Sequence, residues 1–147
     1  MKPCVSEQLQ YHNLLTSEID EAYHNASLKL GLSDSAMMIL YALCSRENPC
    51  PLLEIAKLTG ISRQTIHSAI KKLEAQGILT LESPGGRRKL VRLTEEGMEL
   101  AEKTAGRLIK IENEIFDSWT GEELEQYIRL TGRYLEQFRE KTGRLGV

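Results

Sequence analysis

A mostly α-helical chain carrying one small β-hairpin is the fold class this sequence predicts, and three observations predict it. Apolar residues recur at intervals of three and four over most of the 147 residues, the period of a helix with one buried face. That period gives way once to alternation, over residues 78–94, around a Pro-Gly-Gly turn. Aromatic residues make up only 5% and prolines number four, while 41% hydrophobic content is enough for a core and argues against wholesale disorder.

From about Ser6 to Leu30 the apolar positions are Leu9, Leu14, Leu15, Ile19, Ala22, Tyr23, Ala26 and Leu30, an amphipathic helix that Gly31 stops. Ser33 suits the N-cap of a second helix, whose run AMMILYALC (36–44) is too apolar for a surface and belongs in the core. The segment RENPCP (46–51) reads as a loop because two prolines break the pattern. A short third helix, roughly Leu53 to Thr59, is expected to bury Leu53, Ala56 and Leu58, with Gly60 closing it in a left-handed conformation. Ile61 and Ser62 then serve as staple and N-cap for a helix running to about Gln76, with Ile66, Ala69, Ile70 and Leu73 inward and Gly77 at its end.

Residues 78–83 (ILTLES) and 89–94 (KLVRLT) read as two strands around a basic, glycine-rich turn. Thr94, followed by Glu95 and Glu96, opens a long helix with Leu100, Ala101, Ala105, Leu108, Ile111, Ile115 and Trp119 along one stripe. Thr120 and Glu123 form a capping box for a last helix, whose inner side carries Leu124, Tyr127, Ile128, Thr131, Leu135 and Phe138. Three compact helices followed by a basic hairpin spell a winged helix-turn-helix over residues 33–94. The helices at 5–31 and 95–143 are surplus to that module, and their apolar stripes call for each other and a second subunit as partners, so the single chain 1–147 is expected to dimerise through them.

Net charge is −2, yet residues 57–92 hold eight bases against two acids, a local +6 that leaves −8 on the remainder. A basic working face on an acidic body is the result, and DNA is the partner it suits. No apolar run approaches the ~18 residues of a membrane span, and MKPCVSEQLQ lacks the apolar centre of a secretory signal. The expectation is a cytoplasmic protein with no membrane partner. The three histidines are scattered without metal-ligand spacing, phosphate-loop and nucleophile-elbow patterns are absent, and no paired carboxylates or Ser/His/Asp set is legible. Neither a cofactor, a metal nor an enzyme activity is therefore expected.

In a helix-turn-helix the second helix enters the major groove and its N-terminal half meets base edges. Ser62, Arg63, Gln64, Thr65, His67 and Ser68 supply hydrogen-bonding tips without negative charge, and Lys71 and Lys72 follow in position for phosphates. Arginine suits guanine and glutamine adenine, each by a bidentate pair. Arg87, Arg88 and Lys89 sit on the hairpin tip, a form that reaches a minor groove.

These segments, LSDSAMMILYAL (32–43), LLEIAKLTGISRQTIHSAIKKLEAQGIL (52–79) and RRKLVRLTEEG (87–97), resemble the MarR family of bacterial transcription regulators. With the flanking helices the resemblance covers nearly the whole chain. It implies a homodimer with interlocked terminal helices, two winged lobes on a palindromic operator, and recognition helices about 34 Å apart, one turn of DNA. It further implies a repressor that a small aromatic effector, or oxidation, releases. One departure stands out: where the family commonly has Asp-x-Arg in the wing, Arg87 matches the arginine but Gly85 replaces the aspartate, and the wing is a few residues short.

Effector sensing by resemblance would use a pocket between lobe and dimer region, for which Tyr11, His12, Tyr23, Met37 and Met38 are the candidate lining residues; ordinary packing is the competing role for each. A thiol-based redox sensor of the same fold is the alternative, with Cys4, Cys44 and Cys50 as free thiols that lack CxxC spacing. A winged-helix protein-interaction module without DNA affinity is the other, and the basic hairpin argues against it.

Overall fold

The computed structural model describes residues 1–86 and 88–146. Contacts divide the chain into two compact units, Met1–Ile109 and Lys110–Val147. The first unit therefore takes in the N-terminal helix and the start of the segment after the hairpin, together with the 33–94 lobe.

In the first unit, helix α1 (Glu7–Lys29) starts at Ser6, whose Oγ accepts the Leu9 N–H at 3.1 Å. Helix α2 (Asp34–Cys44) starts at Ser33, which accepts from the Ala36 N–H, and it is the centre of the core: Ile39 and Leu40 are completely buried. The imidazole of His24 on α1 meets the Asp34 carboxylate at 2.8 Å, tying the two helices together at their junction.

The expected loop at 46–51 contains a short strand, β1 (Cys50–Pro51). It pairs antiparallel with β3 (Leu90–Leu93), which pairs in turn with β2 (Leu79–Glu82), so the sheet has three strands in the order β1-β3-β2 instead of two. The prolines that suggested a loop fit an edge strand, where a missing N–H costs nothing. Asn48 extends the ladder with its side chain: the Leu93 N–H donates to Asn48 Oδ1 at 2.9 Å, and Asn48 Nδ2 donates to the Leu93 carbonyl at 3.4 Å.

Helix α3 (Leu52–Thr59) has the expected span but a different phase. Ile55 is fully buried, whereas Leu53 is 61% and Leu58 43% exposed, against the expectation that both are inward. In eight residues an apolar stripe is short enough to be read a hundred degrees off, and packing of Ile55 into the core decides the matter. Gly60, at φ +66°, closes the helix, and Ser62 caps α4 (Arg63–Ala75), with Ile66, Ile70 and Leu73 buried as the spacing predicts. Among the described residues between β2 and β3, Pro84–Gly86 form a tight 3-10 turn.

Thr94 caps α5 (Glu95–Lys103) and also donates to the Gly77 carbonyl at 2.6 Å, fastening α5 to the end of α4. Gly97 is the most closely packed of the glycines: a Cβ there would lie 1.8 Å from the Ile78 carbonyl oxygen. The single long helix expected after Thr94 is in fact broken at Thr104, which leaves the helical region (φ −120°, ψ −88°) before α6 (Ala105–Asp117) begins. Thr104 is buried and its Oγ1 donates to the Leu100 carbonyl at 2.7 Å, while its N–H bonds Ala101 at 3.3 Å. A threonine that bonds back to its own helix competes with the backbone ladder, a contest that periodicity does not register. The apolar positions to either side, Ala101, Ala105 and Leu108, still join the core.

The second unit holds the end of α6 and helix α7 (Gly121–Thr142). The capping box forms as predicted, with Thr120 accepting from the Glu123 N–H and Glu123 accepting from the Thr120 N–H. Phe116, Trp119 and Tyr127 cluster edge to face, with Trp119 5.3 and 5.2 Å from its two neighbours. The expected inner side of α7 buries nothing within this chain: Tyr127, Ile128, Leu135 and Phe138 are each about half exposed.

Candidate nucleic-acid interface

The turn at Gly60 and the cap at Ser62 set α4 against α3 and leave its N-terminal half open. Ser62 Oγ accepts the Thr65 N–H at 3.3 Å and donates to Thr65 Oγ1 at 2.9 Å. Both hydroxyls of the helix start are thus fixed in place by the cap itself. Burial of Ile66 and Ile70 orients the rest of the helix, so Ser62, Arg63, Gln64, Thr65, His67, Ser68, Lys71 and Lys72 are all exposed. Arg63 and His67, four residues apart, share one face.

That face borders a cleft of about 750 Å³ between α3, α4 and the wing. Its apolar lining comes from Pro51, Leu52, Leu53, Ala56, Leu58 and Ile66, and its polar rim carries Arg46, Glu54, Lys57, Arg63, His67, Arg88 and Lys89. Of the residues named from the sequence, Arg63 and His67 of α4 and Arg88 and Lys89 of the wing therefore meet at the cleft, although they lie some twenty-five residues apart in the chain. The wing is anchored for this purpose, because the Leu52 N–H donates to the Lys89 carbonyl at 3.0 Å. Ser62, Gln64, Thr65, Ser68, Lys71 and Lys72 lie outside the cleft, exposed at the cap and on the surface of α4. Arg87 falls outside the described residues.

Two cations on the rim were missed as site residues. Lys57 had a signal, since it belongs to the basic segment 57–92. Arg46 had none, because only folding brings the end of α2 to this rim, where its Nε pairs with Glu54 Oε1 at 3.0 Å. A second pair withdraws charge: Arg92 Nε donates to Glu82 Oε1 at 2.5 Å, which holds the Glu82 carboxyl below its ordinary range and raises the Arg92 guanidinium. Arg92, counted in the basic segment, is thus matched by its own acid.

The candidate effector residues do not meet at this cleft. Met37 is buried in the core, while Tyr11, His12, Tyr23 and Met38 are exposed on α1 and α2. Among the cysteines, burial pushes the Cys44 thiol up, and burial together with the neighbouring Glu54 carboxylate does the same to Cys50. Both are thereby poor thiolates. Among the described residues no three His, Cys, Asp or Glu side chains gather as a metal site, and no single helix is long and apolar enough to cross a membrane.

Comparison with known proteins bears on the same lobe. Residues 30–89 match the family model of the MarR family. Solved structures share the fold over nearly the whole chain. AbsC, a MarR family transcriptional regulator from Streptomyces coelicolor, is 18% identical with a TM-score of 0.74, covering 95% of this chain and 99% of its own. MepR from S. aureus, in complex with DNA, is 17% identical with a TM-score of 0.70, covering 92% and 99%. BpsR from Bordetella bronchiseptica, whose DNA binding is regulated by 6-hydroxynicotinic acid, is 23% identical with a TM-score of 0.65, covering 85% and 98%. No curated protein matches the chain. The resemblance read from the sequence is thus shown: the chain has the winged-helix fold of MarR family transcription regulators, in mostly helical form with a small three-stranded sheet.

Proposed function

We propose that this chain is a sequence-specific DNA-binding regulator of transcription that acts as a homodimer on a palindromic operator, represses, and is released by a small aromatic effector. The observation that carries the reading is the convergence of Arg63 and His67 with Lys57, Arg88 and Lys89 around one exposed cleft. Cations on a helix N-terminal half and on an adjoining hairpin supply phosphate contacts from two sides, while Arg63, Gln64 and Ser68 remain open to base edges. Their side chains do not compete with an acid, since Glu54 is engaged by Arg46 and Glu82 by Arg92.

Dimerisation is supported by the apolar faces left open in the single chain. Leu14, Leu15 and Ile19 on α1, and Ile128, Leu135 and Phe138 on α7, are 43–55% exposed. Stripes of that length on a helix mark a partner surface. A dimer doubles the recognition helices, makes the preferred site palindromic and fits a DNA-bound relative such as MepR. The effector reading leans on BpsR, and its pocket would draw on Tyr11, His12, Tyr23 and the methionines of α2. A cytoplasmic location follows from a DNA target, and no enzymatic step is part of the reading. The thiol-based alternative is disfavoured at Cys44 and Cys50, where burial pushes the thiols up, and would fall to the exposed Cys4.

The test is to select duplexes from a random pool with the purified protein and footprint the enriched sequence. The expected outcome is a palindrome whose half-sites lie about 10 base pairs apart, bound with a salt dependence of several phosphates. Enrichment of no sequence, or an affinity unchanged by a fourfold rise in salt, overturns the reading.

A further inference from the structure

The wing contains one acid. In residues 78–94 the only carboxylate is Glu82, set among Arg87, Arg88, Lys89 and Arg92. An acid on a hairpin that approaches phosphates weakens binding by repulsion unless it serves another end.

Its place in the ladder supplies that end. The register pairs Leu79 with Leu93, Thr80 with Arg92, Leu81 with Val91, and Glu82 with Leu90. Leu79, Val91 and Leu93 are buried on the inner face, so Thr80, Glu82, Leu90 and Arg92 share the outer one. Glu82 and Arg92 are diagonal neighbours there, close enough for side chains to meet across the strands. They meet as a fork, Arg92 Nε to Oε1 at 2.5 Å and Nη2 to Oε2 at 3.4 Å. Glu82 with Leu90 is also the outermost rung of the β2–β3 ladder, and residues 83–89 join the two strands as the tip in the sequence. The tip itself has no acid, Gly85 standing two residues before Arg87.

We propose that Glu82 and Arg92 are the positioning pair of the wing: their fork locks the outermost rung, so that Arg88 and Lys89 leave it in a fixed direction, and it keeps Arg92 itself off the DNA. The proposal rests on the DNA reading above. It makes a prediction that charge alone does not. Glu82→Gln adds one positive charge to the wing and Arg92→Gln removes one, so simple electrostatics moves their DNA affinities in opposite directions. A positioning pair is lost in both, so both lose discrimination between the selected operator and random duplex.

The experiment measures that affinity ratio, its salt dependence and the melting temperature for the full chain, for E82Q, for R92Q, and for the exchange of Glu82→Arg with Arg92→Glu. Expected is a ratio lowered about threefold in each single variant and recovered in the exchange, with a melting temperature close to the parent's. E82Q also binds random duplex more tightly with a salt slope steeper by about 0.9, because Arg92 is released to a phosphate. An unchanged ratio in either single variant, or no recovery in the exchange, overturns the proposal. A DNA-free readout separates it from the DNA reading. Backbone amide order at Gly86, Arg88 and Lys89, from ¹⁵N relaxation, is expected to fall in both single variants and return in the exchange. If the parent selects no sequence, the DNA reading fails; if the tip amides are unmoved, the positioning pair fails.

Discussion

Helices α2 and α7 use apolar residues in opposite ways. Six of the eleven residues of α2 are buried, and Ile39 and Leu40 have no exposure at all. Helix α7 is twice as long, carries a clean apolar stripe, and buries none of its residues. The difference is one of neighbours: α2 packs on α3, α4 and α5 within its own unit, whereas the stripe of α7 finds no such layer in the second unit. A winged lobe that closes its core by itself can be rigid on its own account. A long helix with an open stripe has its apolar face still to cover, and on the function proposed above a second copy of the chain would cover it.

The most damaging change to that contrast lies in the core of the lobe. Ile39→Ala is expected to cost about 2–5 kcal/mol of stability, read by denaturant unfolding and independent of protein concentration. The same truncation at Ile128 on α7 should lower the melting temperature only as far as it weakens association, so its effect should shrink as protein concentration rises. A concentration-independent loss at Ile128 breaks the comparison.

Next in size is the doubly charged surface, Ile128→Glu with Leu135→Glu. Sedimentation should then report a monomer whose lobe keeps its near-ultraviolet spectrum, and operator binding should fall about 100-fold, since two linked half-site contacts become separate ones. Retention of the dimer sinks the association role of α7.

Arg63→Ala sharpens the other side, because it leaves the core untouched and should remove about 1–3 kcal/mol of operator binding with relaxed preference at one position. Lys71→Ala should instead weaken all duplexes alike and reduce the salt slope by about one. Smallest of all is Thr120→Ala, which removes the cap of α7 and should cost about 1 kcal/mol in thermal unfolding.

How much of this could be read in the chain differs by element. Caps at Ser33, Ser62, Thr94 and Thr120 and the glycine stops at Gly60 and Gly77 are local chemistry, so each was legible. So was the inward set of α4, because thirteen residues give a stripe more than three turns long. Strand β1 was not, because two residues at a sheet edge have no periodicity and owe their extended form to pairing with β3. The phase of α3 and the break at Thr104 were not either, since both are decided by what the helix packs on or by a side chain bonding back to the turn before it.

The sequence by itself determined the succession of the main helices, the helix-turn-helix with its polar second helix, the basic hairpin and the stripes that call for a partner, because propensity, capping and period act over a few neighbouring residues. Only the tertiary structure decided which charges work together. It brought Arg46 and Lys57 to the rim with Arg63, His67, Arg88 and Lys89, and it set Glu82 against Arg92. Those relations join residues far apart in the chain, and their distances exist only once the core of α2, α3, α4 and the sheet has closed.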